Sequence, residues 1–235
     1  MTTAKIISFS LWGREAKYLR GALENIELQW KYYPEWRCRF YVDSSVPENI
    51  IEQLNEHAEI ARMPDGVGNF GLFWRFLPLD DPTVDRFIVR DADSRLSARE
   101  AQAVLEWEAS GSWFHLMRDH PGHIGTPICG GMWGATKEFR PGYMNLLNNW
   151  LAGDRSFGHE RGEYFYTDQT FLEDCIWPLV KDSHIAHESV QTSYSGYKRP
   201  FIVSNPDGSF IGSNLIDVRK INIPGAVKIA ESNDN

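Results

Sequence analysis

Cysteine is scarce in this chain. There are three, Cys38, Cys129 and Cys175, far apart and without a C-x-x-C spacing. That argues against a disulfide framework or a structural zinc site, and each is expected in a strand or helix as a small apolar residue. Excess basic charge is also lacking: 24 Lys and Arg face 32 Asp and Glu, for a formal net charge of -8. Binding a nucleic-acid backbone needs a basic face, so no nucleic-acid partner is expected. A small anion gripped by local cations or a metal is not excluded. No apolar run approaches the ~20 residues of a membrane-spanning helix. Residues 1–11 show no basic stretch leading into a long apolar run, so no signal peptide is expected. These absences point to a reducing cytoplasm and leave loose attachment to a membrane surface open. Linkers, low-complexity tracts and internal repeats are missing too, so a single domain over residues 1–235 is expected.

What is present is the material of a core. Hydrophobic residues make up 42% of 235 positions, enough for one α/β domain. Nine Trp, nine Tyr and thirteen Phe supply buried area and also flat faces for nucleobases and sugar rings. Residues 5–11 (KIISFSL) read as a buried strand, and 14–32 carry apolar residues at helical spacing. Residues 37–42 form a second strand. Ser45 caps a helix with Pro47 near its first turn and Ile50, Ile51 and Leu54 facing the core. A short strand at 59–63, a loop at 64–71 and a short helix at 72–79 follow. The apolar strand 86–89 comes next. Ser97 and Glu100 have capping-box spacing for a helix that Gly111 stops. Strands are expected at 113–117 and 129–135, and helices at 138–151 and 167–179. Asn205-Pro-Asp-Gly208 reads as the turn of a hairpin between 201–204 and 209–212. Residues 231–235 are expected to fray. Strands alternating with helices in the first half imply a largely parallel sheet covered on both faces.

The most informative stretch is Phe87-Ile-Val-Arg90-Asp91-Ala-Asp93-Ser-Arg95. Ligands of open α/β sheets bind beyond the carboxyl ends of the strands. Alternate residues of extended chain share a face, so Asp91 and Asp93 would point into one opening. Paired carboxylate oxygens suit Mg²⁺ or Mn²⁺ held together with substrate phosphates. Arg90 and Arg95 would offset the charge or reach a phosphate. Solvated turn acids are the plainer reading of the same residues.

The ordered set KIISFSLWG, FIVRDAD, GGMWGA and YTDQ resembles GT-A glycosyltransferases, nucleotide-diphospho-sugar transferases with an Asp-x-Asp metal motif, over about residues 5–200. The resemblance implies an α/β, Rossmann-like three-layer sandwich with a mostly parallel mixed central sheet. It also implies a sugar transferred from a nucleoside-diphosphate donor, a UDP-sugar first among them, to a glycan or other hydroxyl acceptor. Asp91 and Asp93 would then hold Mn²⁺ or Mg²⁺ against the donor diphosphate, and the end of the first strand, with Ser10 and Trp12, would lie against the nucleoside. Similarity to retaining family-8-like enzymes gives Asp168 the sugar hydroxyls and places Gln169 near the anomeric carbon. Acids in a first helical turn also suit the helix dipole alone.

Further positions follow with their plainer alternatives. Gly131 and Trp133, in a Gly-rich segment without phosphate-loop spacing, would line the acceptor or sugar pocket, although a Trp serves equally in a core. His120, in Arg118-Asp119-His120-Pro-Gly-His123, would belong to a loop at the pocket rim, or to a plain surface turn. Arg75 would reach the donor phosphate or base, or simply cover apolar neighbours. His187 would be a third metal ligand, or a satisfied structural histidine, and Lys198, or Arg199, a phosphate contact. The family's histidine, however, should occupy position 193, which is Ser here. His57 and His159 carry no signal. Two rivals stay open: a sugar nucleotidyltransferase, for which residues 8–14 (SFSLWGR) lack a glycine-rich loop, and a non-catalytic carbohydrate or nucleotide-sugar binding module.

Overall fold

The computed structural model describes residues 4–66, 68–153 and 167–213. Eight strands form one sheet: β1 (Ala4–Leu11), β2 (Arg37–Val42), β3 (Glu59–Arg62), β4 (Val84–Val89), β5 (Phe114–Arg118), β6 (Trp133–Thr136), β7 (His184–Glu188) and β8 (Tyr197–Arg199). Their order is β3-β2-β1-β4-β6-β5-β7-β8. β6 runs antiparallel to both neighbours, and every other pairing is parallel.

Strand alternation sorts the core into two layers. Ile7, Phe9 and Leu11 of β1 and Ile88 of β4 pack beneath α1 (Ala16–Tyr32), α2 (Glu48–Asn55) and α3 (Ala98–Ser110). Phe87 and Val89 of β4 and Trp133 of β6 face the other side. There they meet a 3-10 segment (Gly68–Leu79), α4 (Tyr143–Ala152) and the chain from α5 (Thr167–Phe171) to α6 (Trp177–Val180). Burying both faces explains why the central strands read as nearly continuous apolar runs.

Several local expectations need correction. Residues 68–79 wind as 3-10 helix, with Pro78 inside and thus one backbone donor missing. Ser45 does not cap α2. Its hydroxyl accepts Gly13 N–H at 2.6 Å and donates to Asp43, while Pro47 holds the cap position. Ser97 does cap α3, but Glu100 gives its carboxylate to Tyr33 and Arg90, so the box is half made. α4 begins only after Pro141-Gly142, where Gly142 takes φ +73°. Its first amides, Tyr143 N and Met144 N, donate to Asp80, each at 2.9 Å. Between α5 and α6 the helix widens to a π turn (Leu172–Ile176), directly before Pro178, whose ring cannot fit against the carbonyl four residues back. The turn at 205–208 forms, with Gly208 N–H on Asn205 O at 3.0 Å, but its flanks are not strands. β7 and β8 have no counterpart among the expected strands. Cys129 lies outside any strand, whereas Cys38 sits in β2. The expectations for His159, Tyr166 and residues 231–235 lie outside the described residues.

Candidate active site

The carboxyl ends of β1 and β4 open onto a cavity of about 700 Å³. Its lining gathers Ser10, Trp12, Arg75, Asp91, Asp93 and Gly131 with Asp168 and Gln169, residues spread over most of the chain.

The acids reach it by an unexpected path. β4 ends at Val89, and Asp91 to Ser94 form a turn closed by Ser94 N–H on Asp91 O at 3.1 Å. Extended-chain alternation therefore does not align Asp91 with Asp93; the turn does. α1 holds that turn from behind. Buried Asn25 donates to Ser94 O at 2.8 Å and accepts Leu96 N–H at 3.0 Å. Gly21 lets the helix approach so closely that a Cβ there would lie 2.0 Å from Ala92 O.

Arg75 is the centre of the charge arrangement. Ser8 Oγ donates to its carbonyl at 2.7 Å and Ser10 Oγ accepts its N–H at 3.0 Å, so β1 fixes its backbone. Its buried guanidinium then spans two carboxylates: one arm pairs with Asp91, the other with Asp168 at 2.7 Å. Arg75, expected as a donor contact, lines the cavity with its guanidinium engaged as a bridge between acids. Gly130 and Gly131 back this bridge, packed against Asp168 and Asp91 where a side chain would collide. Trp12 stands edge-on to Trp74, with ring centres 6.2 Å apart, and Gly71 leaves room for its indole.

Four expected site residues lie elsewhere. Arg90 is offset by one residue from Asp91 and so faces the opposite side of the sheet. It is buried under α3 with Glu100 at 3.4 Å, where burial also raises the Glu100 carboxyl and the Tyr33 hydroxyl. His187 falls on that same wrong face. Its Nδ1 lies 2.9 Å from His115 Nε2 and its Nε2 3.2 Å from Glu106, so it does not join Asp91 and Asp93 as a third metal ligand. Trp133 is wholly buried, stacked on Phe114 with ring centres 5.3 Å apart. Lys198 sits on the edge strand β8, its ammonium on Thr192 O at 2.7 Å. β8 is four strands from β4, roughly 19 Å away at normal strand spacing.

His120 and His123 exchange places relative to expectation. The short turn Pro121–His123 makes His120 its cap, accepting Gly122 N–H at 3.0 Å and stacking on Phe210, while His123 lines the cavity. His123 Nδ1 accepts Asp119 N–H at 3.1 Å, which puts the proton of the neutral ring on Nε2. Burial lowers its pKa to about 4. Cys129 also lines the cavity, but burial pushes its thiol up to about 12, so it is no ready nucleophile. Lys17 was missed as well; its ammonium lies 3.4 Å from Asp93. The signal was a lysine in the first turn of a helix, where the dipole disfavours a cation unless an acid compensates.

Asp91 and Asp93 offer hard oxygen donors to one opening, which fits Mg²⁺ or Mn²⁺ completed by water and phosphate. Among the described residues, no group of three or more His, Cys, Asp or Glu side chains is arranged to hold a metal ion. Nor is any described helix long and apolar enough to cross a membrane.

No protein-family model and no curated protein matches the sequence. Solved structures do. The glycosyltransferase GlyE of Streptococcus pneumoniae TIGR4 matches with TM-score 0.50 and 14% identity over 79% of this chain. The present chain spans only 45% of that protein's length. A glycosyltransferase involved in glycosylation of the major capsid of PBCV-1 matches at TM-score 0.48 and 13% identity, covering 80% of this chain and 82% of the other. 4-Diphosphocytidyl-2C-methyl-D-erythritol synthase from Anaerococcus prevotii DSM 20548 matches at 0.48 and 10%, covering 90% and 93%. At such identities the likeness speaks for the fold alone: an α/β chain with a mostly parallel, mixed eight-stranded sheet of the GT-A glycosyltransferase type.

Proposed function

We propose that this chain is a glycosyltransferase that moves a sugar from a nucleoside-diphosphate donor, a UDP-sugar in the first instance, to an acceptor hydroxyl. One observation carries the reading: Asp91, Asp93, Asp168 and Gln169 converge on a single cavity at the carboxyl ends of β1 and β4. In this reading Asp91 and Asp93 hold Mn²⁺ or Mg²⁺, which supplies Lewis acidity to the departing diphosphate. Arg75 orients Asp91 and Asp168 through its rigid fork, so that one guanidinium sets the spacing of the diphosphate and sugar ends of the site. Ser10 and Trp12 border the nucleoside end, and Gln169 the anomeric carbon. His123, with Nε2–H presented to the cavity, donates to a substrate oxygen rather than accepting a proton. With Lys198 remote, Arg14 at the cavity lining is the side chain that shares charge with the leaving group. The Asp168-Gln169 pair at the cavity favours retention at the anomeric carbon, a route in which a leaving-group oxygen accepts the acceptor's proton.

The test is product release from a panel of nucleotide-sugars with and without Mn²⁺. Free nucleoside diphosphate, lost in Asp91→Ala and Asp93→Ala, supports transfer. Pyrophosphate release instead marks a nucleotidyltransferase. Wild-type turnover in both variants refutes the assignment.

A further inference from the structure

The acids of the cavity are already partly neutralised by the chain's own cations, and the two cations differ in kind. Arg75 is buried between Asp91 and Asp168 and cannot leave without stranding the buried Asp168 carboxylate. Lys17 is different. Its side chain is half exposed, its ammonium stands 3.4 Å from Asp93 Oδ2, and it lies 4.3 Å over the ring of Tyr18, which lines the cavity. A long, flexible side chain at that separation can swing away at little cost.

The placement of Lys17 is not left to chance. It belongs to the first turn of α1, where a cation is disfavoured by the helix dipole; the turn itself holds no acid, and Glu15 at the N-cap makes no side-chain cap. The same helix is locked to the acid turn. Gly21 packs on Ala92 O, Asn25 clasps Ser94 and Leu96, and Glu24 pairs with Arg95. The Lys17 backbone therefore belongs to the same rigid unit as Asp93, and its ammonium is answered by Tyr18 and by that acid.

We propose that Lys17 is a positioning residue acting through Asp93: the resident counter-ion that a divalent cation displaces, and so the residue that sets the metal affinity of the site. The proposal rests on the reading of Asp91 and Asp93 as the metal-holding pair. It goes beyond that reading by naming a competitor built into the chain. A cation entering beside Asp93 must break the Lys17 pair and meets the repulsion of a nearby ammonium until the side chain swings out. Removing that charge without removing the acid should therefore tighten metal binding.

The experiment titrates the purified chain with MnCl₂ and reads free Mn²⁺ by electron paramagnetic resonance, so neither donor nor acceptor need be known. Lys17→Gln is expected to bind Mn²⁺ about threefold to fivefold more tightly than wild type, the size of an exposed ion pair. Lys17→Arg, which keeps the charge, should stay near wild type. In an Asp93→Asn background the Lys17→Gln effect should disappear. Both lysine variants should fold normally, since the side chain is half exposed and only its ammonium meets the partly buried Tyr18 ring, and circular dichroism checks this. Unchanged Mn²⁺ affinity in Lys17→Gln overturns the proposal, while loss of binding in Asp91→Ala would leave the acid-pair reading standing. Absence of Mn²⁺ binding in wild type and Lys17→Gln alike overturns that reading and the proposal together.

Discussion

A side chain at residue 131 would collide with Asp91: a Cβ built on Gly131 lies 2.1 Å from Asp91 Oδ2. The absence of a side chain at that position is what lets the carboxylate stand where it does. Gly131→Ala should turn Asp91 away from the cavity. Asp91 is partly exposed and can move, so the stability loss should stay near the low end of overpacking, about 1 kcal/mol. Turnover should fall at least about tenfold through misplacement alone. Thermal melting alongside donor turnover checks the contrast; equal losses in both would contradict it.

Arg75→Met should behave oppositely. It leaves the buried Asp168 carboxylate without its partner and should cost about 3–5 kcal/mol in urea unfolding. Arg75→Lys should recover only part of this, because an ammonium cannot fork between two acids. Full recovery by Lys would show that charge alone matters.

Asn25→Ala removes the clasp behind the acid turn. Leu96 N–H would lose its partner in a buried setting, at about 1–3 kcal/mol for the orphaned group, while Ser94 O would keep the Arg95 guanidinium at 3.4 Å. Hydrogen exchange at the Leu96 amide should quicken well beyond the global change. Protection equal to wild type would show that other contacts hold the turn.

Acid should destabilise the chain through its histidines. Burial lowers His115, His184 and His187 below their ordinary value, and His123 to about 4. Between the ordinary histidine value near 6.5 and about 4, the unfolded chain binds protons that the folded chain refuses. Stability therefore falls as pH drops through that window. Glu100 and Glu27, both raised by burial, work the other way, but as two groups against four. The urea midpoint should be lower at pH 5 than at pH 7.5, and the His123 ring should still be neutral at pH 5 by NMR. A protonated His123 at that pH would refute the burial argument.

The legible part of the site was local. Asp91 and Asp93 stand out because they follow a mid-chain apolar strand, and Gly131 because glycine permits close approach. Arg90 and His187 were misplaced for one common reason. Each lies on a strand or at its end, and the alternation of side chains sends each to the face opposite Asp91. Which face a given strand turns toward the cavity depends on its neighbours, and β7 was not recognised as a strand. Lys198 was misplaced because sequence order does not reveal that β8 is an outer strand, far from β4. Trp133 satisfied a pocket motif equally well from within the core.

By itself, the sequence determined the alternation of strands and helices, the start of α3 at Ser97, its stop at Gly111 and the position of the acid turn. These follow from periodicity, capping chemistry and glycine's freedom at positive φ, all of which act over a few residues. Only the tertiary structure decided that Arg75 bridges Asp91 and Asp168, that Lys17 answers Asp93, and that His123 rather than His120 borders the cavity. Those pairings join residues up to 93 positions apart. They are chosen by sheet order and by which charges burial forces together, and neither is encoded in any short stretch of chain.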